Sequence, residues 1–162
     1  MLKLVPATLY KTEIEKKFAE RIYDNDMMYY NGYGFNYYVP EIKQQECRKE
    51  YACIDDDTEE VIGYFSYKIE TLTKTVYNFG LYSFDKGNIG FVKLVFEELE
   101  KLTRMFHRIE WKCVCGNPAE HGYDNFCEKH NGRKLILHDC SIDDSYQIHD
   151  CAIYEIITDV KL

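Results

Sequence analysis

The sequence predicts an α+β protein built on a mixed, mostly antiparallel sheet, and three observations carry that prediction. Residues of high strand propensity alternate with polar ones over 61–69, 75–84, 108–115, 134–141 and 148–158. Between them, Phe91, Val95, Leu99, Leu102 and Phe106 recur at helical spacing. The resulting order is strand, helix, strands, helix, strand, helix, strands, so helices separate successive groups of strands.

Taken in order, Lys3 to Val5 reads as a short first strand. Thr12 with Glu15 three residues later makes a capping-box pattern, opening a helix to about Tyr30 with Ile14, Phe18, Ile22 and Met28 on its apolar side. Two Gly and three Tyr between Asn31 and Tyr38 predict an irregular aromatic loop, and Pro40 suits the first position of a second helix to about Arg48. Tyr51 to Ile54 and Val61 to Ile69 form a hairpin around an acidic turn, Asp55 to Asp57 with Glu59 and Glu60, and Thr75 to Phe84 continues the meander. The long helix occupies about Asn88 to Phe106. Arg108 to Cys115 is a strand, Ala119 to about Asn131 a helix ended by Gly132, and Lys134 to Ser141 pairs with Ile148 to Thr158.

A length of 162 residues suits one domain, 1–162, and 46% hydrophobic residues with only 3 Pro and 9 Gly leave little material for a linker. A net charge of -8 disfavours nucleic acid, whose binding needs clustered Lys and Arg, and is compatible with a cationic ligand. No stretch approaches the roughly 18 apolar residues of a membrane span, and Met1 to Pro6 lacks a leader pattern, so no membrane partner is expected. Seven Cys, an odd number in a chain large enough to need no staples, read mostly as reduced core thiols and place the protein in the cytoplasm.

Three stretches bear on function: Val61-Ile62-Gly63 opening a central strand, Asp85-Lys86-Gly87-Asn88-Ile89-Gly90 before the long helix, and Gly116-Asn117-Pro118-Ala119 leading towards Tyr123. The middle stretch is a Gly-containing entry to a helix, where backbone N–H groups and the helix dipole offset the charge of an anion such as a pyrophosphate. The same residues equally make a plain strand-to-helix turn. In this order, over roughly residues 50–157, the three stretches resemble the GNAT superfamily of acetyltransferases. The resemblance implies an α/β/α sandwich with helices on both faces of the sheet. It also implies acetyl-CoA as co-substrate, no metal, and as partners coenzyme A and an amine acceptor, with room for a homodimer.

The family's coenzyme loop normally reads Arg or Gln, two residues, Gly, one residue, then Gly or Ala. Here Asp85, Asn88 and Gly90 fill those places in one frame, and Phe84, Gly87 and Ile89 in the other. The resemblance implies that Lys86, Gly87, Asn88, Ile89 and Gly90 surround the pyrophosphate, and that the backbone of Leu81, Tyr82 and Ser83 pairs with the pantetheine arm. It implies that Asn117 lies close to the coenzyme and that Tyr123 is catalytic, donating a hydrogen bond to the departing thiolate. Donation suits it better than proton transfer, since a thiol near pKa 8.5 is a stronger acid than a tyrosine near 10. Asn117 and Tyr123 stand one residue closer than the family's usual spacing, about 100° around an ideal helix. Tyr123 also shares a stripe with Phe126, Cys127 and His130, so a packing role fits its position equally.

Direct attack by a lysine-like amine requires its neutral form, which at pH 7 costs about 4.6 kcal/mol. Glu70, Asp85 and His107 stand near the mouth by sequence order, but charged strand and helix ends are usually solvated, so each reads as a surface residue and none is named the base. The resemblance places the acceptor between Tyr29, Tyr30, Tyr33, Tyr37 and Tyr38 and the turn Asp143-Asp144-Ser145-Tyr146. A domain of this fold that binds acyl-CoA or a protein partner without catalysis is the alternative. Zinc is the further option, through Cys113-x-Cys115, Cys127-x-x-His130, His138 and Cys140, but Cys113 and Cys115 alternate with Ile109 and Trp111 on one strand face and read as core thiols.

Overall fold

The computed structural model describes residues 1–31 and 39–162. One sheet runs through it: β1 (Leu2–Pro6), β2 (Arg48–Asp55), β3 (Val61–Glu70), β4 (Thr75–Ser83), β5 (Arg108–Val114), β6 (Arg133–Ile142) and β7 (Ile148–Ile157), in the spatial order β1-β2-β3-β4-β5-β7-β6. Every pairing is antiparallel except that of β4 with β5. The period-2 alternation of strands divides the side chains between two cores. Phe65, Ile109, Trp111 and Tyr154 pack with helices α3 (Ile89–Leu102) and α4 (Glu120–Lys129), while Ala52, Ile54, Tyr64 and Tyr82 pack with helix α1 (Lys11–Arg21) and Met27 of the short α2 (Met27–Asn31). Helices on both faces of a mostly antiparallel sheet are the architecture expected.

Two helices differ from the sequence reading. A 3-10 turn, Ala7–Tyr10, precedes α1, and Tyr10 is the N-cap with no side-chain hydrogen bond, so Thr12 is not a cap. The helix also breaks after Arg21. Asp24, Asn25 and Asp26 form local turns instead, with Asp24 N–H on the Arg21 carbonyl (2.8 Å) and Met27 N–H on the Asp24 carbonyl (2.9 Å). The helix expected from Pro40 is absent. Ile42 is buried there, and carboxylates from elsewhere take the backbone donors: Ile42 N–H bonds Glu15 (3.4 Å) and Lys43 N–H bonds Glu50 (3.2 Å). Strand β2 accordingly begins at Arg48, three residues before the predicted start.

The sulfurs of Cys140 and Cys151 are joined in a disulfide, correcting the expectation of thiols at these two positions. Antiparallel pairing of β6 and β7 brings their Cα atoms to 6.1 Å, inside the range a disulfide bridges. No helix of the described residues is long and apolar enough to cross a membrane.

The feature that positions a site is the short contact between β4 and β5. They pair at Thr75–Arg108 and Val76–Ile109 and no further. Two residues on, β4 carries one extra residue opposite Tyr67 of β3, with Asn78 at φ 56°. A bulge of this kind bends its strand, and β4 leaves β5 from there. Helix α3 docks over the other flank of β4 through Phe91, whose ring lies where a Cβ at Gly63 would sit, 2.4 Å away. Gly63→Ala is therefore expected to destabilise the protein by about 1–3 kcal/mol, the usual range for overpacking. A urea midpoint equal to that of the unaltered chain would show that α3 docks without this close approach.

Candidate active site

Where β4 and β5 part, the phase of the flanking ladders decides which main-chain groups are open. Phe84 N–H donates to the Ile62 carbonyl at 2.9 Å, so Tyr82 is hydrogen-bonded to Tyr64 of β3 and the main-chain groups of Leu81 and Ser83 face the opening. On the other bank Cys115 N–H donates to the Asp150 carbonyl at 2.8 Å, which turns Lys112 and Val114 towards β4. Of the three residues expected to present amides to the gap, Leu81 and Ser83 do so. Tyr82 does not, because strand pairing uses its backbone.

The opening widens into a cleft of about 410 Å³ between the start of α3 and the start of α4. Eight of the residues assigned in the sequence to coenzyme binding or catalysis line it: Leu81, Tyr82, Ser83, Lys86, Gly87, Ile89, Asn117 and Tyr123. Asn88 and Gly90 do not. Asn88 is the N-cap of α3, its Oδ1 accepting from Phe91 N–H (2.9 Å) and its Nδ2 donating to Asp85 (2.8 Å). Asp85 is thereby held in the turn, outside the cleft lining. Gly90 packs against β1, where a Cβ would lie 2.9 Å from Leu2. Gly87 has φ 78° with open space around a notional Cβ, a conformation that favours glycine beside the cleft. The N–H groups of Gly87, Ile89 and Gly90 have no hydrogen-bond acceptor among the described residues.

Charge at the mouth is balanced. Lys86 Nζ lies 3.0 Å from Asp26 and 3.8 Å from Asp24, Arg21 pairs with Asp24 at 3.1 Å, and the Tyr82 hydroxyl donates to Asp26 at 3.3 Å. Burial, with Asp26 and Asp24 adding to it, raises the Tyr82 pKa.

Tyr123 is 5% exposed among Phe96, Trp111 and Tyr154, with ring centroids 5.7–6.0 Å away. Its hydroxyl has no hydrogen-bond partner among the described residues, yet the buried unpartnered polar side-chain atom there is Trp111 Nε1 instead. Tyr123 is itself among the residues that line the cleft. Burial, and secondarily Cys113, raises its pKa, so it stays protonated and able to donate at neutral pH. Asn117 Oδ1 accepts from Ala119 N–H (2.8 Å), fixing the turn into α4, while the residue lines the cleft.

Several wall residues carried no functional signal in the sequence. Phe91, Val92 and Phe96 come from α3 and Gly122 from α4. Gly122 had a readable one: glycine inside a helix is unfavourable by about 1 kcal/mol unless something approaches closely. Phe96 does, 2.9 Å from a notional Cβ. Across the mouth, Tyr29 and Tyr30 of α2 line the same cleft, with the Tyr29 hydroxyl 3.7 Å from a notional Cβ on Gly116. Tyr33, Tyr37 and Tyr38 lie outside the described residues. Glu70, Asp85 and His107 do not line the cleft. Glu70 accepts from Leu72 N–H (3.0 Å) and His107 Nδ1 bonds the Val160 carbonyl (2.7 Å).

No protein-family model matches this sequence, and no curated protein does. Solved structures match over almost the whole chain. An N-acetyltransferase from Staphylococcus aureus superposes with a TM-score of 0.68 at 13% identity, covering 97% of this chain and 98% of its own. Spermidine N-acetyltransferase from Vibrio cholerae, in complex with CoA and spermine, gives 0.62 at 12% identity, covering 97% and 95%. A GNAT-family protein from Chromobacterium violaceum gives 0.61 at 15% identity, covering 96% and 81%. The fold is that of the GNAT acetyltransferases.

The thiols form no ligand set: among the described residues no three His, Cys, Asp or Glu side chains are grouped to hold a metal. Cys53, Cys113 and Cys127 are buried, Cys115 is half-buried and Cys47 is exposed. Burial pushes the Cys53 thiol up to about 11 and Cys113 up to about 12, with Asp55 and Glu120 respectively adding to the effect. Since the thiolate is the reactive form, the native protein should react promptly with a thiol reagent at Cys47 and slowly elsewhere. All five free thiols should react after unfolding without reductant. Fast modification of native Cys113 would contradict its placement in the core.

Proposed function

We propose that this protein is an acetyl-CoA-dependent N-acetyltransferase. The observation that carries the reading is the loss of β4–β5 pairing beyond Val76 and Ile109, which leaves main-chain groups of Leu81 and Ser83 open along an apolar cleft. An extended amide-bearing chain satisfies such groups as an added strand does. The pantetheine arm has that chemistry, and the free N–H groups of Gly87, Ile89 and Gly90 at the end of the gap suit a diphosphate. The apolar cleft walls fit the rest.

In this reading the amine attacks the thioester carbonyl directly: its lone pair forms the C–N bond, the C–S bond breaks and the thiolate leaves, and the nitrogen gives up its proton to solvent. Tyr123, which lines the cleft and stays protonated, is in this reading the donor of a hydrogen bond to the sulfur as charge develops there. Its raised pKa makes it a lasting donor rather than a proton source. An open main-chain N–H of β4 serves the carbonyl oxygen, and the excess of acidic residues, net charge -8, favours approach of a cationic acceptor. A spermidine acetyltransferase of the same fold supports an amine in that role.

One observation favours the non-catalytic alternative. The Asn88 side chain takes up Phe91 N–H, and the carboxylate Asp85 stands where the family's loop has Arg or Gln, so fewer donors and no cation are fixed at the diphosphate position. Calorimetric titration with acetyl-CoA, followed by a thiol-release assay across amines, separates the readings. Binding without release for any amine supports the alternative, and absence of binding removes the enzyme reading and leaves only a domain that binds a protein partner.

Gly87→Glu should weaken coenzyme affinity at least about tenfold, because it forces a left-handed residue and sets a carboxylate beside the diphosphate. Unaltered affinity would refute the loop assignment. Tyr123→Phe should lower turnover about ten- to a hundredfold with coenzyme affinity kept, the range expected for losing a hydrogen bond to a charged group. Full turnover in that variant would leave Tyr123 a packing role only.

A further inference from the structure

A stack of three aromatic rings crosses the place where the sheet divides. Phe79 of β4 lies flat on Trp111 of β5, with centroids 5.6 Å apart and planes 11° apart. Trp111 lies in turn on Tyr154 of β7, at 4.8 Å and 7°. The indole is 3% exposed and its Nε1–H has no partner among the described residues. Ring contacts rather than a hydrogen bond therefore hold its plane.

The stack lies between two openings. On one side is the cleft reached from Leu81 and Ser83. On the other is a shallow groove of about 550 Å³ bordered by Tyr77, Asn78, Glu110 and Lys112, with Phe79 and Trp111 in its wall. The two share no lining residue. Trp111 stands 5.7 Å behind the ring of Tyr123, which faces the cleft, and Phe79 precedes Leu81 by two residues on the same strand face. Neither ring lines the cleft itself: along their strands Phe79 and Trp111 stand between its lining and the paired end at Val76 and Ile109.

We propose that Phe79 and Trp111 form an acyl-length gate, the floor that accepts an acetyl group and turns back longer acyl chains. The inference rests on the acetyl-CoA reading above and deepens it by naming what sets the acyl specificity. Two stacked rings backed by a third have little room to yield, and forcing extra methylenes against a packed core is destabilising. Removing Phe79 would do two things at once: free the volume of one ring and join the cleft to the groove behind it.

Trp111 is the only tryptophan of the chain, so intrinsic tryptophan fluorescence reports this stack and nothing else. The test titrates CoA, acetyl-CoA, butyryl-CoA and hexanoyl-CoA into the unaltered protein, Phe79→Ala and Phe79→Leu, read by calorimetry and by Trp111 emission. The unaltered protein should bind CoA and acetyl-CoA alike and butyryl-CoA at least about tenfold more weakly, the scale on which one or two methylenes are discriminated in an apolar pocket. Phe79→Ala should bring butyryl-CoA within about threefold of acetyl-CoA, with Phe79→Leu between, as the same scale implies. Equal affinity of the unaltered protein for acetyl-CoA and butyryl-CoA overturns the gate while leaving the coenzyme reading intact. So does a folded Phe79→Ala that discriminates as before. If Phe79→Ala does not fold, Phe79→Leu, which keeps an apolar side chain in the stack, carries the same comparison. Failure of the unaltered protein to bind CoA or acetyl-CoA overturns the coenzyme reading, and the gate with it.

Discussion

The ladder between β4 and β5 stops after two residue pairs, and the rest of the molecule is arranged around that interruption. Main-chain N–H and C=O groups are obligatory hydrogen-bonding groups, and a sheet interior normally satisfies all of them. Here those of Leu81 and Ser83 on one bank, and of Lys112 and Val114 on the other, point into the gap in the middle of a seven-stranded sheet. Such a gap persists only if closing it is harder than keeping it open. The bulge at Asn78 supplies that resistance, because β4 cannot follow β5 without removing an extra residue from its pairing with β3.

Each bank is held by its other neighbour. β4 pairs with β3 from Thr75 to Ser83, and β5 pairs with β7 along its full length, from Arg108 opposite Ile157 to Val114 opposite Cys151. The aromatic stack spans the divide by packing alone, joining Phe79, Trp111 and Tyr154 from β4, β5 and β7. At this point the sheet exchanges directional main-chain bonds for ring contacts, which tolerate separation that a hydrogen bond does not. Helix α2 braces the far end, where Met28 packs with Val114 and Cys151 and the Tyr29 hydroxyl approaches Gly116.

Much of the fold was legible because it depends on periodicity. The apolar stripe of α3, Phe91, Val95, Leu99 and Leu102, is buried as its spacing requires, and the strands of the second half fall close to their predicted bounds. Failures occurred where tertiary partners outweigh local preference. Pro40 invites a helix, but Glu15 and Glu50 bind the donors of Ile42 and Lys43 and hold that segment extended. The first helix was read too long, since Asp24, Asn25 and Asp26 prefer local turns once Arg21 and Lys86 compensate their charge. At the cleft, Lys86, Gly87 and Ile89 were legible because a Gly-containing helix entry is a local feature, and Leu81, Tyr82, Ser83, Asn117 and Tyr123 through the family resemblance. Which main-chain groups face the cleft was not legible. That depends on hydrogen-bond phase between strands, set by Phe84 on Ile62, and no side chain of Leu81, Tyr82 or Ser83 encodes it.

Asp85 illustrates how a departure from a family pattern becomes tolerable. A carboxylate at the mouth of a diphosphate site would repel its ligand if it pointed there. The Asn88 amide instead donates to it at 2.8 Å while the same side chain caps α3, so one residue both starts the helix and turns the misplaced charge into the turn. Lys86, the nearest cation, is already engaged by Asp24 and Asp26, which leaves the mouth close to neutral. In the proposed reading, attraction for a diphosphate at this mouth comes from oriented N–H dipoles at the start of α3 rather than from a fixed side-chain cation. Dipoles act within a turn or so of the helix end and in fixed directions, so such a site favours a ligand seated in one orientation over an anion arriving from any side. For the acyl transfer proposed above, which would bring a thioester to the Tyr123 hydroxyl, placement contributes more than affinity.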